Sequence, residues 1–126
     1  MDKQVFAAPD GAQAVGPYSP AVGAGDFVFV SGQLALDRDG KIHGYTPMEQ
    51  AQKALENLQA TLAAAGLTLE HVVKTTIFLR DMDEFGAVNE IYGRFFSEPY
   101  PARSTVQVAR LPKDMHVEIE AVAYRG

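Results

Sequence analysis

The chain has no cysteine among its 126 residues. Disulfides, thiolate catalysis and cysteine-ligated metals are therefore excluded. Histidine is scarce: His43, His71 and His116 are the three present, and none pairs with another at metal-ligand spacing. Each reads as a surface or strand residue. Positive charge is in deficit, since 11 Lys and Arg face 16 Asp and Glu for a formal charge of −5. That balance argues against a nucleic-acid partner, although it does not exclude a local basic patch. No apolar run approaches the ~20 residues of a membrane span. The first residues, Met1 to Phe6, lack the basic start and apolar core of a secretory leader. A cytoplasmic protein with no membrane partner is expected.

Three catalytic or cofactor motifs are also missing. Gly23-Ala24-Gly25 fails as a dinucleotide fingerprint, because Val28 stands where the third glycine belongs and the glycines precede a strand. Ser31 is not in a Gly-x-Ser-x-Gly elbow. There is no phosphate loop. Nothing in the pattern points to a metal or an organic cofactor.

What is present is the balance of a soluble globule, 47% apolar and 21% charged. The length suits a single domain, residues 1–126. Gln4 to Ala7 reads as a short edge strand and Pro9 to Pro20 as a long aperiodic loop, the kind that often carries function. Tyr18 lies in that loop between two prolines, either as a packing plug or as a functional group. Gly23 to Asp26 reads as a turn, and Phe27 to Val30 as a buried strand. Gly32, inside Ser31-Gly32-Gln33, signals a bulge or a close approach to the backbone. Asp37 to Lys41 reads as a hairpin turn.

Thr46-Pro47-Met48-Glu49 is a capping box with proline at the first helical position. Ala51, Ala54, Leu55, Leu58, Leu62 and Ala65 then repeat at helical spacing up to Gly66. Thr68 to His71 reads as one short turn. Val72 to Arg80 reads as a strand with Val73, Thr75, Ile77 and Leu79 on one face. A second helix is expected from Asp81 to about Phe96, striped by Phe85, Val88, Tyr92, Phe95 and Phe96, with Asn89 at the stripe's border. Glu98-Pro99-Tyr100-Pro101 is a stiff connection.

The last third organises the chain. Ser104 to Val108 alternates like a strand, Leu111-Pro112-Lys113-Asp114 breaks it as a tight connection, and its expected partner strand, His116 to Tyr124, alternates again. Val117, Ile119, Ala121 and Ala123 share one face; Glu118 and Glu120 share the other. Arg103 opens the first of these strands, with Thr105 on its face. A half-buried glutamate needs a cation or donors. Arg103 therefore has two readings: it pins a strand to a glutamate, or it receives a substrate carboxylate while a glutamate handles water. The order β-β-α-β-α-β-β implies a two-layer α+β fold with both helices on one sheet face. Phe29, Thr76, Phe78, Val122 and Tyr124 would lie on the other face, too apolar for free solvent, so self-association is expected.

Pro101-Ala102-Arg103-Ser104, Arg110-Leu111-Pro112-Lys113-Asp114 and Val117-Glu118-Ile119-Glu120-Ala121 resemble the C-terminal signature of the Rid family, the reactive imine/enamine deaminases. Gly16-Pro17-Tyr18-Ser19-Pro20, Val30-Ser31-Gly32-Gln33, Val73 to Leu79 and Val88-Asn89-Glu90-Ile91-Tyr92 extend the likeness over nearly the whole chain. The resemblance implies a chorismate-mutase-like fold with a mixed sheet, a homotrimer with sites at subunit boundaries, and no cofactor. It implies hydrolysis of 2-imino or 2-enamino acids to 2-oxo acids and ammonia. Arg103 matches the family's substrate-binding arginine and Glu118 the group assigned to water. Tyr18, Ser31, Gly32, Asn89 and Thr105 match its pocket. Thr105 stands where cysteine is frequent in the family, and the 98–100 connection is shorter, which implies a different pocket rim. A ribonuclease, or a non-enzymatic binder or chaperone-like protein, on the same fold is the alternative.

Overall fold

Residues 2–126 are described by the computed structural model of the protein. Alternating apolar residues build six strands into one sheet: β1 (Gln4–Phe6), β2 (Ala21–Ala24), β3 (Phe27–Gln33), β4 (Val72–Leu79), β5 (Ala102–Gln107) and β6 (Val117–Tyr124). Their order across the sheet is β1-β2-β3-β6-β4-β5. All neighbours are antiparallel except β4 and β5, which run parallel. The crossover between those two is α2 (Phe85–Phe95), as a parallel pair requires. The other helix, α1 (Pro47–Ala64), begins on the expected capping box, with Thr46 and Glu49 each bonding the other's backbone.

Both helices cover one sheet face. Leu55, Leu58 and Leu62 of α1 and Val88, Ile91 and Tyr92 of α2 share a core with Val28, Ile77, Leu79, Val117 and Ile119. The fold is thus the mixed, two-layer α+β arrangement expected. The opposite face carries Phe27, Phe29, Thr76, Phe78, Val122 and Tyr124, as cross-strand register dictates. Phe29 is 49% exposed and Tyr124 47%. Phe78 is sheltered by a smaller cluster around Ala35, Leu111 and Met115.

Four expectations need correction. Gly23 and Ala24 belong to strand β2, and the turn is confined to Gly25 and Asp26, with Gly25 at φ 58. Glycine and alanine are weak strand formers, but pairing on both sides overrides that weakness. Val73 is exposed instead of sharing a face with Thr75, because the β4–β6 register slips between Val72 and Lys74 and reverses the phase there. The second helix is preceded by a separate 3₁₀ turn at Met82–Glu84, which Asp81 caps. Finally, β5 and β6 do not pair, since β4 lies between them.

Leu58 is fully buried beneath the centre of α1. Leu58→Ala should cost about 2–5 kcal/mol of stability, the range for such a truncation in a packed core. Urea unfolding followed by circular dichroism measures it; a midpoint unchanged from the parent would contradict this core assignment.

Candidate active site

Two groups of chemistry-bearing side chains stand on opposite faces of the sheet. The first is built on the exposed edge strand β5. Arg103 pairs in register with Thr75, whose side chain is buried under α2, so Arg103 emerges on the helix face. There α2 frames it. Arg103 Nη1 donates to Asn89 Oδ1 at 2.7 Å. The guanidinium carbon lies 4.9 Å from the Tyr92 ring centroid and 5.3 Å from that of Phe85, within cation–π range. The remaining guanidinium nitrogens have no acceptor among the described residues. Of the two readings of Arg103, the one that pins it to a glutamate is not met, since Arg103 forms no ion pair among the described residues.

Tyr92 is itself fixed. Its hydroxyl and that of Thr75 share a hydrogen bond of 2.7 Å in the core. Burial raises the Tyr92 phenol above its ordinary value, with Thr75 and the Arg103 charge opposing that shift. The phenol is therefore neutral, and its ring face is what Arg103 meets. Thr105, two residues along β5, is half-buried on Arg103's face, where its register partner is Ile77.

The second group lies across the sheet. Glu118 pairs in register with Phe78 and is on the open face. A Cβ on Gly32 would come within 2.6 Å of Glu118 Oε2. The missing side chain at Gly32 is what lets the glutamate lie against β3, and the β3–β6 register slips between Val30 and Gln33 at the same place. Both readings of this glycine, bulge and close approach, hold. Ser31 Oγ donates to Ser19 O at 2.7 Å, and Ser31 N–H donates to Pro20 O. These bonds tie the loop that carries Tyr18 to β3. Tyr18 is exposed and borders a small hollow with Gly32 and Leu34. Burial raises the Glu118 carboxyl above its ordinary value, and neighbouring Glu120 pushes it the same way.

The expected site residues thus fall into two sets: Arg103, Asn89 and Thr105, then Glu118, Gly32, Ser31 and Tyr18. Within one protomer they cannot meet. Register places Arg103 level with Ala121, two strands over and three residues along from Glu118. That spacing puts their Cα atoms about 14 Å apart, with side chains on opposite faces.

The expectations overlooked the aromatic frame of Arg103. Its signal was available, because Phe85, Asn89 and Tyr92 follow helical i, i+4, i+7 spacing. His116, expected as a surface or strand residue, forms a knot just before β6. Its ring nitrogens lie 2.9 Å from Glu84 Oε1 and 3.0 Å from Tyr45 O, and its backbone N–H donates to Gln50 Oε1. No group of three His, Cys, Asp or Glu placed for a metal occurs among the described residues.

The Thr75–Tyr92 bond holds the floor under Arg103. Thr75→Val should cost about 1–3 kcal/mol, because it strands a buried phenol. Thr75→Val with Tyr92→Phe should cost less than the two single changes added together. Strict additivity in urea unfolding would show that the two hydroxyls are not coupled.

The chain is similar to proteins of one family along its whole length. Residues 8–125 match the family model described as Endoribonuclease L-PSP. A RutC family protein, UK114, of Drosophila melanogaster is 50% identical over 125 residues, covering 98% of this chain and 91% of that one. The 2-iminobutanoate/2-iminopropanoate deaminase of Mus musculus is 44% identical over 125 residues, covering 98% of this chain and 93% of the mouse protein. The crystal structure of Escherichia coli TdcF with bound serine superposes with TM-score 0.91 at 42% identity, covering 98% of this chain and 99% of that one. With this extent of identity and the same fold, the chain belongs to the Rid family, also called RutC or L-PSP.

Proposed function

We propose that the protein hydrolyses 2-imino acids and their 2-enamino tautomers to 2-oxo acids and ammonia. The site forms in a homotrimer, where Arg103 of one protomer meets Glu118 of the next. One observation carries this reading. The protomer presents a framed arginine with open donors at one edge, and on the opposite face a half-buried carboxylate with no partner among the described residues. Each half lacks what the other supplies. The apolar open face between them needs cover. A head-to-tail contact that joins an edge to a face closes into a ring under three-fold rotation. The relatives include an imine deaminase and a protein solved with a bound amino acid, in keeping with a small amino-acid-like substrate.

The chemistry follows from the residues. The planar guanidinium of Arg103 binds the substrate carboxylate through two parallel N–H donors. Asn89 holds one edge of the fork, and the Tyr92 and Phe85 rings limit its tilt. Water then adds to the imine carbon, breaking the C=N π bond. Glu118 accepts the proton that the water gives up, and the nitrogen receives it. In the resulting carbinolamine Glu118 takes the hydroxyl proton and passes it to the amino nitrogen; the C–N bond then breaks to release ammonia, and the water oxygen becomes the new carbonyl. Thr105 serves without a thiol, since no covalent bond to the protein is formed. Position and one base account for the step, because imines already hydrolyse in water.

Light scattering at micromolar concentration should give three times 13.7 kDa. Glu118→Gln should lower kcat roughly 10²–10⁴-fold in an assay of ammonia release from freshly generated imino acid. As pH falls, the Glu118 carboxylate is protonated and activity is lost. Burial raises this group in the protomer and the facing Arg103 of the next protomer would oppose that rise, so the test is the limb itself: the parent's acid limb should be absent from Glu118→Gln.

Arg103→Ala and Glu118→Gln should each be nearly inactive alone. Co-refolded in equal amounts, they should recover about a quarter of parental activity, because a random cyclic trimer places an intact Arg103 against an intact Glu118 in that fraction of sites. Absence of recovery, with trimers intact, would contradict a shared site. A parent that releases no ammonia faster than buffer would leave the ribonuclease and binder readings standing.

A further inference from the structure

Arg103 lines a cavity of about 410 Å³ together with Asn89, Tyr92, Gly93, Tyr100 and Pro101. Asn89 and Gly93 are about one turn apart on α2, so the cavity continues along the helix roughly 6 Å beyond the residue that holds Arg103. A Cβ built on Gly93 meets no atom within 4 Å. Bare helix backbone therefore floors an open trough. Tyr100, 59% exposed, and Pro101 from the connection before β5 also line it. The Tyr92 hydroxyl is engaged by Thr75, so Tyr92 adds ring surface to this space. Past Arg103 and Asn89 no lining residue is charged.

We propose that this trough is the side-chain subsite of the pocket, and that it selects 2-imino acids bearing a large apolar or aromatic side chain over those bearing a methyl group. The inference rests on Arg103 being the carboxylate anchor. With the carboxylate on the guanidinium, the substrate's side chain extends along α2 toward Gly93. A methyl group ends short of the trough and leaves it wet. An isobutyl or benzyl group fills it and is covered by the rings of Tyr100 and Pro101. Gly93 sets the depth and Tyr100 the roof. An apolar increment in such a pocket changes kcat/KM by roughly 10–200-fold.

The test uses imines generated in place from alanine, leucine and phenylalanine by a flavin amino-acid oxidase, with the rate of imine loss followed for each. The parent should favour the leucine- and phenylalanine-derived imines over the alanine-derived one by at least about tenfold. Gly93→Leu replaces a poor helix former by a good one, so the helix keeps its fold while the trough is filled. It should erase that preference. Tyr100→Ala should lower the preference for the phenylalanine-derived imine most.

A parent that treats the three imines alike would overturn the subsite. So would Gly93→Leu lowering all three rates in proportion, or changing only trimer stability; the last outcome would mean that a neighbouring subunit fills the trough. If no imine is consumed faster than in buffer, the deaminase reading falls and the subsite falls with it.

Discussion

Side-chain parity in the sheet decides what one protomer can do alone. Because β4 separates β5 from β6, register fixes which residues share a face. Arg103 matches Thr75 and emerges under α2; Glu118 matches Phe78 and emerges on the far side. No rotamer change reverses this, since a side chain cannot cross the backbone plane. The core demands the same parity: Thr75, Ile77 and Leu79 must face the helices, so their cross-strand partners follow. Packing and site geometry are thus one constraint, and it divides the candidate machinery into two halves.

Each half is organised by contacts that leave its reactive atoms free. Arg103 is held from below and from the side, by two rings and one amide oxygen, which orients the fork without consuming it. Glu118 is held by shape. The missing side chain of Gly32 admits the carboxylate to a half-buried position where burial and Glu120 both disfavour its charge. A carboxyl tuned upward in this way is a better proton acceptor near neutral pH than an exposed one. The Ser31 bonds to Ser19 and Pro20 bring the Tyr18 loop to the same place.

Much of this was legible in the residues. The capping box at Thr46 and the heptad-like leucines specified α1, and the alternation of Val117 to Tyr124 specified both faces of β6. Gly32 announced itself as an exception inside a strand. Pairing order was not legible, because alternation tells which face a residue takes but not which strand lies beside it. Hence Ser104–Val108 and His116–Tyr124 looked like partners, and Arg103 looked available to a glutamate. Local pattern also missed β2, whose Gly23 and Ala24 are strand only because neighbours pair with them on both sides. Val73 was misplaced because a register slip carries no sequence mark. The aromatic frame of Arg103 was readable from spacing but became meaningful only once β5 lay beneath α2.

Strand order has a further consequence, for how the chain is made. β6 sits at the centre of the sheet, yet it is the last of the six strands in sequence. During synthesis β1 to β3 emerge as a meander, and β4, α2 and β5 as a separate parallel unit, with no backbone hydrogen bonds to join them. Until β6 arrives both units keep an unpaired inner edge, the kind of edge that invites pairing with other chains. Ribosomal growth adds roughly 5–20 residues per second, so that exposure lasts seconds and ends all at once. The Glu118 half of the site and the continuity of the sheet are created by the same final strand, so a chain stalled before it carries neither.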